Sequence, residues 1–181
     1  PEAPLAPKVT LPSVLKLAML ASHTISTEEC YDSGKPINAR DRLLKGVQLV
    51  TQMMGAGNYK PSALSMLVIE TLHSSIGFRY STVCLKDGRN ESYRAVLSVG
   101  EQHVARQPHF AFPTERSEDV FHLAIENNAD LIIEETTTGS IRELIPAWHK
   151  RLLPDTRSMI LLPLVQGTTA LGLFYADRAQ P

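Results

Sequence analysis

The chain has 181 residues, 43% of them hydrophobic, and 18 Lys and Arg against 19 Asp and Glu leave a formal net charge of -1 at pH 7. That length suits one main domain plus an extension, burying roughly 70% of the surface an unfolded chain would expose. The even charge balance argues against a surface dedicated to nucleic acid or an anionic membrane, and no apolar run approaches the roughly 20 residues of a membrane-spanning helix.

The opening PEAPLAPKVTLP carries four prolines and no initiating Met. A Pro-rich tail or linker over residues 1–12 is expected, cut from a longer protein. Pro12 can open a helix through Val14, Leu15, Leu17, Ala18, Met19, Leu20 and Ala21, apolar nearly all round. With the loop Thr24 to Pro36 it forms an N-terminal helical extension over residues 13–39. Cys30 and Cys84 are the two cysteines, too few for a disulfide framework, so a reduced, cytoplasmic setting is expected.

The main domain is expected over residues 40–178. Asn38 is a good N-cap for a helix to Met54, with Leu43, Val47, Val50 and Met54 as its stripe. Pro61 opens a third helix with Leu64, Leu67, Val68, Thr71 and Leu72 on one side, closed at Gly77. Phe78 to Lys86 and Glu91 to Val99 read as a hairpin around Asp87-Gly88-Arg89-Asn90, with Tyr93, Ala95, Leu97 and Val99 on one face. A short strand is expected around Phe110 and Phe112, limited by Pro108 and Pro113.

Ser117, followed by Glu118 and Asp119, fits an N-cap for a helix burying Val120, Phe121, Ala124 and Ile125. Asp130 to Glu134 is a short strand and Thr136 to Gly139 a loop. Ser140 and Glu143 fit a capping box opening a short helix interrupted at Pro146. Two apolar runs close the chain, Met159 to Val165 and Ala170 to Ala176, around Gln166-Gly167-Thr168-Thr169. Such runs predict a hairpin covered on both faces. The order gives an α+β domain with an antiparallel sheet of about six strands and helices on both faces.

That order, with the wording DVFHLAIENNADLIIEE, IPAWHKRLL and SMILLPLVQGTTALGLFYADR, resembles a GAF domain. It is similar in particular to the GAF-type region that follows the HDOD domain in bacterial signal-transduction proteins. The resemblance implies a GAF-like, PAS- and profilin-related fold and a non-enzymatic sensory or regulatory module. It implies a small-molecule ligand, a homodimer, or both, controlling an upstream HDOD-type domain. The alternatives are a ligand-free dimerisation scaffold, through helices at 13–23 and 40–54, and a small enzyme using the same pocket. The Asn-Lys-Phe-Asp-Glu set of cyclic-nucleotide phosphodiesterase GAF domains is not recognisable.

No side-chain pattern announces chemistry. The six histidines, His23, His73, His103, His109, His122 and His149, form no HxH or HExxH pair, and no metal or cofactor is expected. Cys84, mid-strand, reads as a small buried hydrophobe, and Glu134-Glu135 point to opposite faces of a strand. A ligand pocket is expected from Phe112, Phe121, His122, Ile133, Thr136, Trp148 and Arg157, an apolar wall with a few polar groups, Arg157 being the anion-binding candidate. The other reading of the same residues is that Phe121, Ile133 and Trp148 fill core.

Overall fold

The runs from Met159 to Val165 and from Ala170 to Ala176 carry almost only apolar side chains, and a strand of that composition is stable only if both its faces leave water. The computed structural model, which describes residues 29–30, 36–37, 39–57 and 59–180, meets that requirement. Leu173, Phe174, Tyr175, Ala176 and Asp177 are successive residues of one strand and all are buried. The expected Pro-rich tail and the helix from Pro12 to Ala21 lie outside the described residues, as does Asn38.

The chain divides into two compact units, one ending at Gly77 and one beginning at Phe78. The first contains a two-residue antiparallel pair, β1 (Glu29–Cys30) with β2 (Pro36–Ile37), inside the stretch expected to be loop. Helices α1 (Ala39–Ala56) and α2 (Pro61–Ile76) follow. They cross closely at Gly46, where an added Cβ would lie 2.0 Å from Thr71 Cγ2. Val50 and Leu64 form the centre of their contact, with Met53, Met54, Tyr59, Leu67 and Val68 around it. Helix α2 closes at Gly77, whose amide bonds the His73 carbonyl in place of the next helical turn.

The second unit holds β3 (Tyr80–Asp87), β4 (Ser92–Gly100), α3 (His103–Arg106), a 3-10 turn (Gln107–His109), β5 (Ala111–Pro113) and α4 (Val120–Glu126). It continues with β6 (Leu131–Ile133), α5 (Gly139–Leu144), α6 (Ala147–Leu152), β7 (Ser158–Gln166) and β8 (Thr169–Arg178). Six strands make one antiparallel sheet in the order β5-β4-β3-β8-β7-β6. The closing hairpin supplies β7 and β8, turning on two residues because Gln166 pairs with Thr169. Strand β6 accompanies β7 only from Met159 to Leu161, and Pro163, which has no N–H to offer a neighbour, follows two residues on.

Three local expectations are corrected. Asp119, not Ser117, caps α4: its Oδ1 accepts the amides of Phe121 at 2.9 Å and His122 at 3.1 Å. Helix α5 starts two residues earlier than the Ser140 and Glu143 capping box requires, with Thr138 at the cap position and no side-chain cap bond. In β4 the pairing skips Val96, so Cys84 faces Ala95 while Thr82 faces Ser98. This bulge breaks the alternation, placing Ser98 with Tyr93 and Ala95 and turning Leu97 to the other side.

Candidate ligand cleft

The aromatic residues of the middle segment and of the sheet converge on one side of the second unit. Phe112 stacks on Trp148 with centroids 5.6 Å apart and planes at 7°, and Phe121 lies 4.9 Å from Trp148. Phe110 reaches Tyr175 at 4.9 Å and Trp148 at 5.0 Å. Of the seven residues expected to line a pocket, Phe112, Phe121 and Ile133 belong to this core cluster and the partly buried Trp148 packs against it. Ring-to-ring packing of this kind adds about 0.5–1.5 kcal/mol per pair to the burial of area. His122 flanks the cluster, 5.6 Å from the Phe112 ring, its Nδ1 2.8 Å from Asp119 Oδ2 and its Nε2 2.9 Å from the Pro113 carbonyl.

Arg157 is committed elsewhere. Its Nε and Nη2 donate to the two oxygens of Glu135 at 3.2 and 2.7 Å, while the Thr137 amide and hydroxyl donate to Glu135 Oε1 at 3.0 and 2.7 Å. These contacts, Arg157 first and Thr137 second, lower the Glu135 carboxyl to about 2. They also pin the start of the β6–α5 loop, because Thr136 donates its amide to the Arg157 carbonyl at 2.8 Å and its hydroxyl to the Thr156 carbonyl at 2.5 Å.

Beside that pinned loop opens a cleft of about 390 Å³ lined by Thr136, Thr137, Arg142, Ile145, His149, Lys150, Leu153, Pro154 and Thr156. Of the seven expected pocket residues, only Thr136 is among them. Helix α5 contributes Arg142 and α6 contributes His149 and Lys150, and the break between them at Ile145-Pro146 orients the two short helices around the opening. Pro146 removes the amide that would continue α5. Ile145, Leu153 and Pro154 supply its apolar wall, Ile145 and Leu153 being buried.

The floor of the cleft is wired to the central strands. His149 Nε2 lies 2.7 Å from the Tyr175 hydroxyl, in the middle of β8. Thr156 donates its hydroxyl to Asp177 Oδ2 at 2.7 Å, and the Arg79 guanidinium donates both to that oxygen and to Thr156 Oγ1. Burial, followed by the positive charges of Arg79 and Lys150, lowers the His149 imidazole to about 3, so it is neutral at physiological pH. Burial pushes the Tyr175 hydroxyl well above its ordinary range and likewise raises the Cys84 thiol. Neutral His149, hydrogen-bonded to protonated Tyr175 buried beneath it, therefore presents a polar but uncharged group to the cleft. Among the described residues no group of three or more His, Cys, Asp and Glu is arranged to hold a metal ion, and no helix is long and apolar enough to cross a membrane.

No protein-family model and no curated protein matches the chain. Solved structures do. The GAF domain of a phosphoenolpyruvate-protein phosphotransferase from Coxiella burnetii superposes with a TM-score of 0.60 at 16% identity, covering 80% of this chain and 81% of that one. The fold is that of GAF domains. Free methionine-R-sulfoxide reductase from Neisseria meningitidis, solved with its substrate, is similar in fold at a TM-score of 0.58 and 16% identity over 87% of this chain and 81% of that one. So are residues 122 to 287 of a methyl-accepting chemotaxis protein, at 0.56 and 18% over 72% and 78%.

Proposed function

We propose that the chain is a non-enzymatic sensory or regulatory GAF module that binds a small molecule in the cleft between α5, α6 and the β6–α5 loop. In this reading, occupancy is passed to an upstream output domain of HDOD type within a cytoplasmic bacterial homodimer. The observation that carries it is the cleft itself, open to a ligand yet joined through His149 and Thr156 to Tyr175 and Asp177 of β8. A ligand touching His149 or Thr156 alters hydrogen bonds that end on a central strand, which is how a local contact reaches a distant domain. The chemotaxis protein and the phosphotransferase of similar fold give the reading its regulatory sense. Cys84, buried with its thiol raised, does not suit the redox chemistry of the reductase of similar fold.

A thermal-unfolding screen of the chain against a metabolite library tests this. A ligand present at 100 times its Kd stabilises by about 2.7 kcal/mol, and filling the cleft with Ile145→Trp should abolish the shift. The aromatic packing of Phe110, Phe112, Phe121 and Trp148 favours a second reading, a dimerisation scaffold without a ligand. If no metabolite moves the midpoint and light scattering gives a dimer, the scaffold replaces the sensor.

A further inference from the structure

The polar residues of the cleft differ in how far their hydrogen bonds are already spent. Thr136, Thr137 and Thr156 donate their hydroxyl protons to the Thr156 carbonyl, Glu135 and Asp177, so they offer a ligand only lone pairs. Arg79, Arg106, Arg116 and Arg157 are each paired with a carboxylate. Arg142 and Lys150 are not: among the described residues neither side chain has an ion pair or a hydrogen-bond partner, and both line the cleft from adjacent short helices. No carboxylate lines the opening. The acidic residues adjacent in sequence to the lining are turned to other uses or to the surface: Glu135 is paired with Arg157 and bonded to Thr137, Asp155 is exposed and 3.9 Å from Arg79, and Glu143 is exposed on α5.

We infer that the cleft takes an oxyanion, a small molecule bearing a carboxylate or phosphate group on a compact apolar body. This rests on the reading of the cleft as a ligand site and gives that ligand its chemical class. Arg142 and Lys150 hold the charged group, since guanidinium and ammonium donors to an oxyanion make the stronger class of hydrogen bond. Ile145, Leu153 and Pro154 hold the body. The floor supports the polarity: His149 is kept neutral chiefly by burial, with the positive charges of Arg79 and Lys150 adding to it, so it sets no charge of its own against an anion. The expected role of Arg157 thus passes to two cations that the fold leaves unpaired.

Trp148, the one tryptophan of the chain, sits on α6 next to His149 and reports on the site by its fluorescence. The full chain is titrated at fixed ionic strength with benzoate, phenyl phosphate and neutral benzamide. The expected result is a saturable Trp148 signal for benzoate or phenyl phosphate and none for benzamide, and the stronger of the two anions separates a carboxylate ligand from a phosphate one. Arg142→Ala with Lys150→Ala should weaken that binding at least about tenfold, the minimum expected for losing charged hydrogen bonds, and leave the midpoint without ligand unchanged. Arg89→Ala with Arg94→Ala, on the β3–β4 hairpin, should have no effect. Benzamide binding as tightly as benzoate overturns the inference, as does full binding by the Arg142 and Lys150 variant. Silence of all three probes also overturns the anion class, and the metabolite screen then decides independently whether the cleft has any ligand.

Discussion

Replacing Asp119 by Ala removes in one step the acceptor of the Phe121 and His122 amides and the partner of His122 Nδ1. A lost N-cap costs about 0.5–2 kcal/mol, and the buried donors left behind add to it. We expect Asp119→Ala to destabilise by about 2 kcal/mol or more in urea unfolding, and Ser117→Ala to stay within about 0.5 kcal/mol. The pair also shows where sequence reasoning stops. Ser117 and Asp119 are both good caps two residues apart, and only the descent of the chain from Pro113, whose carbonyl takes His122 Nε2, selects the second. The same limit hid the cleft. Arg142 and Lys150 read as ordinary solvated positions on short helices until the break at Pro146 brings those helices around one opening.

Strands declared themselves more openly than the irregular pieces between them. The closing hairpin was readable within a residue or two, because two long apolar runs around a Gly turn admit few other structures. Helix α3 and the 3-10 turn, four and three residues long, carry too few positions for a period to show. The Val96 bulge is a feature of the pairing between β3 and β4, which an alternating pattern along β4 does not reveal. Strand spacing also supplies the prediction at this scale. A Cβ on Gly172 would lie 1.9 Å from the Cys84 carbonyl oxygen, a backbone atom fixed in the β3–β8 ladder. We expect Gly172→Ala to cost about 3 kcal/mol or more in chemical unfolding, since strands cannot yield as side chains do. Gly46→Ala should cost less, because Thr71 can turn part of its side chain away.

For the molecule as a whole, acid is the expected weakness. His149 is held at about 3 in the folded state, below the ordinary value near 6.5. Between those values the unfolded chain takes up a proton that the folded one refuses. The stability contributed by neutral His149 is complete above pH about 6.5 and drains away as pH falls toward 3. Glu135, lowered to about 2 from 4.5, acts in the same sense over a more acidic window. Urea midpoints measured from pH 7 to pH 5 should fall, and His149→Gln should flatten that slope whatever it does to stability at pH 7. A wild-type profile flat across this window would contradict a buried neutral imidazole beside Tyr175.

Pro163 has a bearing on how many copies behave together. Strand β6 stops opposite Met159 to Leu161, leaving the later residues of β7 without a β6 partner. A rim of that kind invites an incoming backbone to extend the ladder, copy after copy, into a fibre. The proline ring denies such a newcomer one of the amides it would need. A sheet this rich in aliphatic residues thus carries a stopper near its own margin, and crowding in a concentrated solution meets a barrier built from one imino acid.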